Sequence, residues 1–311
     1  MSEPIVQTQE LTKNYGKFTA VNHLNVTINQ GEIVGLLGQN GSGKTTTFLM
    51  LMGLSVPTSG TATIGHFDIV KDSKAVRTVC GLLPDGAGYY EDLSAKQNLN
   101  YIGQLNDIPK LEREKRTTEL LETVGLSKVA DKKVEQFSRG MKQRLGIAEV
   151  LMKRPKIALF DEPTIGLDPQ GTKEVRELLK RLNKEQRLTV VLASHLLHDV
   201  EQTCQRVLII RQGRLIADDT IENLAKSLSN EQETTIEFEL TDIAPDLIRE
   251  ISGIDGVSQV NQENHRLSVS MSLNRAREIS ETIAKHNSTI LLMKPKECSL
   301  EEIFLRFYEE D

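Results

Sequence analysis

Polar and apolar residues alternate through "IVQTQELTKNYGKFTAVNHLNVTINQGE" (5–32), with many β-branched side chains. That period of two predicts antiparallel strands. The pattern then changes to uninterrupted apolar runs, "EIVGLLG" (32–38), "KIALF" (156–160) and "LTVVLA" (188–193). Runs of this kind suit strands buried on both faces. Between them, helical periodicity occupies about 95–106, 110–124, 139–153 and 170–184. The alternation predicts an α/β fold around a largely parallel sheet, whose ligands gather at the carboxyl ends of the strands.

From about residue 230 the pattern changes again. "ETTIEFEL" reads as a strand, "DLIREIS" as a helix, and "VSQVN" and "RLSVSMS" as a hairpin around "QENH". "RAREISETIAKH" is a helix, "TILLMK" a strand and "SLEEIFLRFYEE" a closing helix. The order β-α-β-β-α-β predicts a small ferredoxin-like α+β domain.

The ends of the apolar runs carry the chemistry. "GQNGSGKTT" comprises Gly38, Gln39, Asn40, Gly41, Ser42, Gly43, Lys44, Thr45 and Thr46. It matches the GxxxxGK[ST] phosphate loop and lies between a predicted strand and helix, the context that motif needs. Glycines let the backbone N–H groups turn inward onto phosphate oxygens, and the following helix adds the positive end of its dipole. Lys44 reaches the outer phosphates, and the Thr45 hydroxyl is a ligand for Mg²⁺. The second run ends in Asp161-Glu162. Carboxylates delivered by a buried strand need a partner or a metal, although helix-capping acids look similar. Beside a phosphate loop, Asp161 suits Mg²⁺ and Glu162 suits a general base for water.

Composition narrows the class. A chain of 311 residues exceeds one compact core, so two domains are expected. The formal charge of −6 argues against a protein that holds nucleic acid electrostatically. Cys80, Cys204 and Cys298 are scattered, as for reduced buried thiols rather than a zinc site. The start shows no secretory pattern, and no apolar run approaches the roughly 18–20 residues that span a bilayer. Any membrane crossing is expected of another chain.

"GQNGSGKTT", "FSRGMKQR", "FDEPTIGLDP" and "LASH" occur in an order and spacing that resembles the ATP-binding cassette (ABC) ATPases, over about residues 4–220. The resemblance implies a P-loop NTPase cassette at 1–225, with a mixed sheet core, an antiparallel β subdomain and a helical subdomain at about 85–153. The domain at 230–311 is then an accessory or regulatory unit. It implies ATP and Mg²⁺ as cofactors, Tyr15 as the aromatic stacked on adenine, and Glu162, His195 and Lys44 as catalytic residues. Ser138, Arg139, Gly140 and Met141 correspond to the signature turn, which serves the nucleotide of a second copy. Arg139 replaces a usual glycine, leaving open whether it adds charge near the γ-phosphate or points to solvent. Asp168 lies in the loop of the dimer interface, and is equally a helix cap before Pro169. His66, His198 and His265 carry no such role. Asp85, after Pro84, stands where the family usually has glutamine and is a candidate metal ligand. Tyr89-Tyr90 falls in a segment that docks a membrane subunit, or packs locally. "YYEDLSAKQNL" and the C-terminal domain are similar to exporter cassettes of the daunorubicin-resistance pump family. The implied protein is the ATPase subunit of an exporter. It is a head-to-tail homodimer, peripheral on the cytoplasmic face of the cell membrane under a separate permease, and no nucleic acid is expected. The alternative is a soluble ABC ATPase acting on a nucleic-acid or ribosomal partner.

Overall fold

The computed structural model describes residues 3–228, 234–271, 275–286, 288–295 and 299–309. Cys298 lies outside them, while Cys80 and Cys204 are buried free thiols. The chain divides into two units, Met1–Thr220 and Ile221–Asp311.

In the first unit, β1 (Pro4–Tyr15) and β2 (Phe18–Asn29) form the expected hairpin. Its apolar positions, among them Val6, Leu11, Leu24 and Ile28, are buried. The next strand, β3 (Ile33–Leu37), runs into α1 (Lys44–Leu51). Two strands with no strong pattern of their own, β4 (Ser59–Ile64) and β5 (Phe67–Asp68), complete an antiparallel sheet of order β2-β1-β4-β5. After α2 (Ser73–Val79) and β6 (Cys80–Leu83) comes the helical region, α3 (Ala95–Leu105), α4 (Lys110–Thr123) and α5 (Arg139–Leu151). A capping box starts α3: Ser94 Oγ accepts from the Gln97 N–H, and the Gln97 side chain accepts from the Ser94 N–H.

The chain continues through β7 (Ile157–Asp161), α6 (Pro169–Gln186), β8 (Thr189–Ser194), α7 (Leu197–Thr203), β9 (Arg206–Arg211) and β10 (Arg214–Thr220). The second sheet has the order β10-β9-β3-β8-β7-β6. Its strands are parallel except for β10, which returns antiparallel on β9 through a tight turn and makes the sheet mixed. Every residue of β7 and β8 is buried, which is why those runs read as continuously apolar. One apolar cluster joins Val6, Leu24 and Ile64 of the antiparallel sheet to Phe48 and Met50 of α1 and to Leu159 and Leu208 of the mixed sheet. The phosphate loop is therefore anchored at both ends by the same core. Each such side chain contributes about 1.5–3 kcal/mol by its burial.

The second unit contains α8 (Ile221–Leu228), β11 (Thr234–Leu240), α9 (Pro245–Ser252), β12 (Val257–Glu263), β13 (Arg266–Met271), α10 (Ala276–Lys285), β14 (Ile290–Pro295) and α11 (Leu300–Glu309). From β11 to β14 this is the β-α-β-β-α-β order, in an antiparallel sheet β12-β13-β11-β14. Ile236, Phe238, Leu267 and Val269 of the sheet pack on Leu247 and Ile251 of α9 and Ile279 and Ile283 of α10.

Candidate functional site: a phosphate-loop cleft

The turn after β3 needs small residues. A Cβ on Gly38 would stand 2.5 Å from the Ile210 carbonyl oxygen, and one on Gly43 2.4 Å from that of Ala20. Gly43 is also the N-cap of α1 at φ 109°, with no side chain capping the helix and no acid in its first turn. The first N–H groups and the positive dipole end are thus left for an anion. Lys44 is buried, its ammonium donating to the carbonyls of Gly38 (2.7 Å) and Gln39 (3.2 Å). Burial pushes this ammonium below its ordinary pKa, and the charges of Glu162 and Asp161 oppose that shift.

Parallel pairing of β7 with β8 brings the acids to the same place, with Asp161 opposite Ala193. The Thr45 hydroxyl donates to Asp161 Oδ2 at 2.6 Å. Burial raises the Asp161 carboxyl above the usual carboxylate range, and the Glu162 and Asp85 charges add to this. The Thr45 hydrogen bond and Lys44 work against it. Glu162 takes the left-handed φ of 50°, a conformation an unbranched L-residue adopts only when its surroundings hold it there. They do so from several sides. Its N–H donates to the Ala193 carbonyl (2.9 Å), and its carboxylate accepts from Ser194 Oγ (3.1 Å), the His195 N–H (3.1 Å) and His195 Nδ1 (2.8 Å). Three donors on one carboxylate fix both its position and its plane.

These groups open on a cleft of about 280 Å³. Of the sequence candidates, Tyr15, Asn40, Gly41, Gly43, Lys44, Thr45, Thr46, Asp85, Asp161 and Glu162 line it. Gly38 and Ser42 shape the loop from behind, and His195 meets the cleft through Glu162. Besides Ala20, which also lines the cleft, two contributors were not marked by sequence reasoning. Phe18 lines the mouth beside Tyr15, its partner across the two-residue turn of β1 and β2. Both rings are about half in solvent (60% and 50%), with Lys13 Nζ 5.1 Å from the Tyr15 centroid. The short turn at Gly16 was the available signal, since it forces the flanking aromatics opposite each other. Ser194 is the other, a buried hydroxyl that donates to Glu162 and accepts from the Leu196 N–H (3.0 Å).

Ser138, Arg139, Gly140, Met141 and Asp168 do not line this cleft. Ser138 caps α5, its Oγ accepting from the Met141 N–H at 3.3 Å. Asp168 caps α6 through the Gly171 N–H at 3.0 Å. Arg139 is exposed, as one of its two sequence readings expects, and its guanidinium lies against Gly166 of "TIGLDP". The place of a Cβ on that glycine (φ 67°) falls 2.6 Å from Arg139 Cζ. Tyr89 and Tyr90 each make a local contact, and Tyr90 stays half exposed. The Tyr89 hydroxyl reaches Gly146 of α5, and Tyr90 meets Tyr101 edge to face at 4.9 Å.

The model of the ABC transporter family matches residues 21–165. Over 302 residues the chain is 35% identical to the bacitracin transport ATP-binding protein BcrA of Bacillus licheniformis, covering 97% of this chain and 96% of that protein. The chain belongs to the ABC transporter family of ATP-binding cassettes. It is also 34% identical, over 97% of both chains, to the linearmycin resistance ATP-binding protein LnrL of Bacillus subtilis. Among solved structures, cbiO1 from Clostridium perfringens, part of the ABC transporter complex cbiONQ, is similar with a TM-score of 0.65 and 31% identity, covering 73% of this chain and 96% of that one. The dimeric post-hydrolysis state of the cassette MJ0796, bound to ADP and Pi, is similar with a TM-score of 0.62 and 28% identity, covering 70% of this chain and 98% of that one. The cassette is thus an ATP-binding, ATP-hydrolysing subunit of a transporter. None of the relatives named here points to the nucleic-acid or ribosomal alternative. Among the described residues, no helix is long and apolar enough to cross a membrane.

Proposed function

We propose that the cassette powers an exporter, as a head-to-tail homodimer at the cytoplasmic face of the cell membrane beneath a separate permease. Export is supported by the antibiotic transport and resistance for which the two long relatives are named. The head-to-tail arrangement is supported by one observation above the others. The chain has a second helix start, Ser138 to Gly140 at α5, which does not line its own phosphate cleft. Each cleft would be closed by the partner's Ser138 hydroxyl, Gly140 N–H and α5 terminus, so one complete site takes two chains. Asp168, beside Gly166 in the adjoining loop, would lie along that contact.

Within the cleft, Tyr15 and Phe18 stack on the adenine base, whose π-face covers their exposed rings. The Gly38–Thr46 backbone and Lys44 hold the phosphates. Thr45 and Asp161 fit Mg²⁺, being hard oxygen donors already held 2.6 Å apart. Among the described residues no three acidic, histidine or cysteine side chains group to hold a cation unaided, so phosphate and water oxygens would complete its shell. Mg²⁺ would supply charge neutralisation at the phosphates. Glu162 orients the attacking water and takes its proton, while Ser194 and His195 keep the carboxylate aimed. His195 uses Nδ1 for this.

Mixing chains tests the shared site. Lys44→Ala and Ser138→Arg chains should each be inactive alone. Together they should recover ATPase activity, from mixed dimers whose one cleft has both intact halves. Activity that never exceeds the sum of the two alone would contradict the shared site.

A further inference from the structure

The side chains lining the cleft carry an excess of negative charge. Three carboxylates, Asp85, Asp161 and Glu162, face one ammonium, Lys44. Two of the three have tasks: Asp161 accepts from Thr45, and Glu162 is held by Ser194 and His195. Asp85 has neither burial nor a partner. It is exposed on the segment after β6, and it makes no hydrogen bond or ion pair with the described residues. A surface carboxylate with no structural contact still has its field. Its charge is felt at Asp161, where it opposes ionisation. Lys44, the only compensating side chain of the lining, is tied to the carbonyls of Gly38 and Gln39. A nucleotide entering with bare phosphates adds more negative charge to this excess than one that carries a divalent cation, which neutralises part of the phosphate charge.

We propose that Asp85 makes nucleotide binding by this cassette conditional on a divalent cation, its carboxylate opposing cation-free nucleotide and tolerating the cation complex. The residue acts as a specificity determinant for the charge state of the incoming nucleotide. A neutral side chain at the same position would remove that discrimination. The inference rests on the reading of the cleft as the nucleotide site. It does not require Asp85 to touch the metal, because the effect is carried through space by charge.

Calorimetric titration of the full-length protein with the non-hydrolysable analogue AMPPNP, once in excess EDTA and once in excess MgCl₂, tests it. The quantity read is the ratio of the two dissociation constants. Asp85→Asn should lower that ratio about five- to twentyfold, chiefly by tighter binding in EDTA. Asp85→Glu, which keeps the charge, should hold the wild-type ratio. The gap between Asp85→Asn and wild type should narrow in 1 M salt, where screening shortens the reach of the carboxylate. Equal ratios for Asp85→Asn and wild type would overturn the inference, as would a lowered ratio in Asp85→Glu. Failure of the wild type to bind AMPPNP even with MgCl₂ would instead strike at the nucleotide-site reading, and the inference would fall with it.

Discussion

The two units of the chain solve the same packing problem and differ in what they leave unpaired. In Met1–Thr220 the ends of parallel strands carry buried or half-buried Lys44, Asp161, Glu162 and Ser194, together with a glutamate in the left-handed region. In Ile221–Asp311 the described core is apolar, and its buried polar residues, Thr282 and Ser288, donate to backbone carbonyls. At its surface His286 meets Glu250 at 2.7 Å. The difference teaches where chemistry resides in this protein. Burying a charge costs several kcal/mol, and in the first unit the fold accepts that cost at the phosphate loop, at Lys44, Asp161 and Glu162. The second unit gathers no comparable set of groups among its described residues. What it presents instead is surface, including an edge strand, β14, with Leu291, Leu292 and Met293 exposed.

If that contrast is right, damage to the second core should leave nucleotide chemistry alone. Phe238→Ala removes a fully buried ring from the middle of β11 and should destabilise that unit by about 3–5 kcal/mol in urea unfolding. Nucleotide affinity should stay at the wild-type value. Lost affinity would show that the second unit helps to build the cleft.

A smaller effect sharpens the other side of the comparison. Glu149 of α5 is an ionisable group of the first unit outside the cleft, and burial pushes its carboxyl from 4.5 up to about 8. Its negative charge also reinforces the burial that raises the neighbouring Tyr89 phenol. Between those two pH values the folded chain holds a proton that the unfolded chain has released. The contribution of Glu149 is therefore fully present below pH 4.5 and lost as pH rises toward 8. Glu149→Gln lacks this slope. Its stability relative to wild type should rise by about 3–4 kcal/mol between pH 5 and pH 8.5, read from denaturant midpoints. A pH-independent difference would mean that the carboxyl titrates normally.

The smallest effect concerns Asp168. Losing the cap on α6 should cost about 1 kcal/mol in Asp168→Ala. The proposed role at the dimer contact adds a second consequence, a weaker ATP-dependent association. A stability loss with association intact would leave Asp168 as a cap alone.

Much of this was legible in the sequence because local rules agreed with one another. Alternation marked the β1–β2 hairpin, continuous apolar runs marked β3, β7 and β8, and the glycines of the phosphate loop fell between strand and helix as that geometry requires. The β-α-β-β-α-β order of the second unit was equally readable. Other features depend on contacts distant in sequence. Short β4 and β5 take their strand form from pairing with β1 and each other, and the antiparallel return of β10 depends on β9. Phe18 carries no motif, and its place at the cleft follows from the turn opposite Tyr15. Ser194 could be read only as a strand end until the β7–β8 register brought it to Glu162. Arg139 resting on Gly166 was beyond sequence, since it joins a helix start to a loop 27 residues away (166 − 139).

The most direct test of the central claim, that Glu162 drives hydrolysis within a closed pair of chains, uses Glu162→Gln. The amide keeps the size of the side chain and removes the base. With ATP and Mg²⁺, this variant should bind nucleotide, lose turnover by about a hundredfold or more and elute in gel filtration with light scattering at the mass of two chains. A variant that stays monomeric with ATP bound, or that turns ATP over at the wild-type rate, would contradict the account.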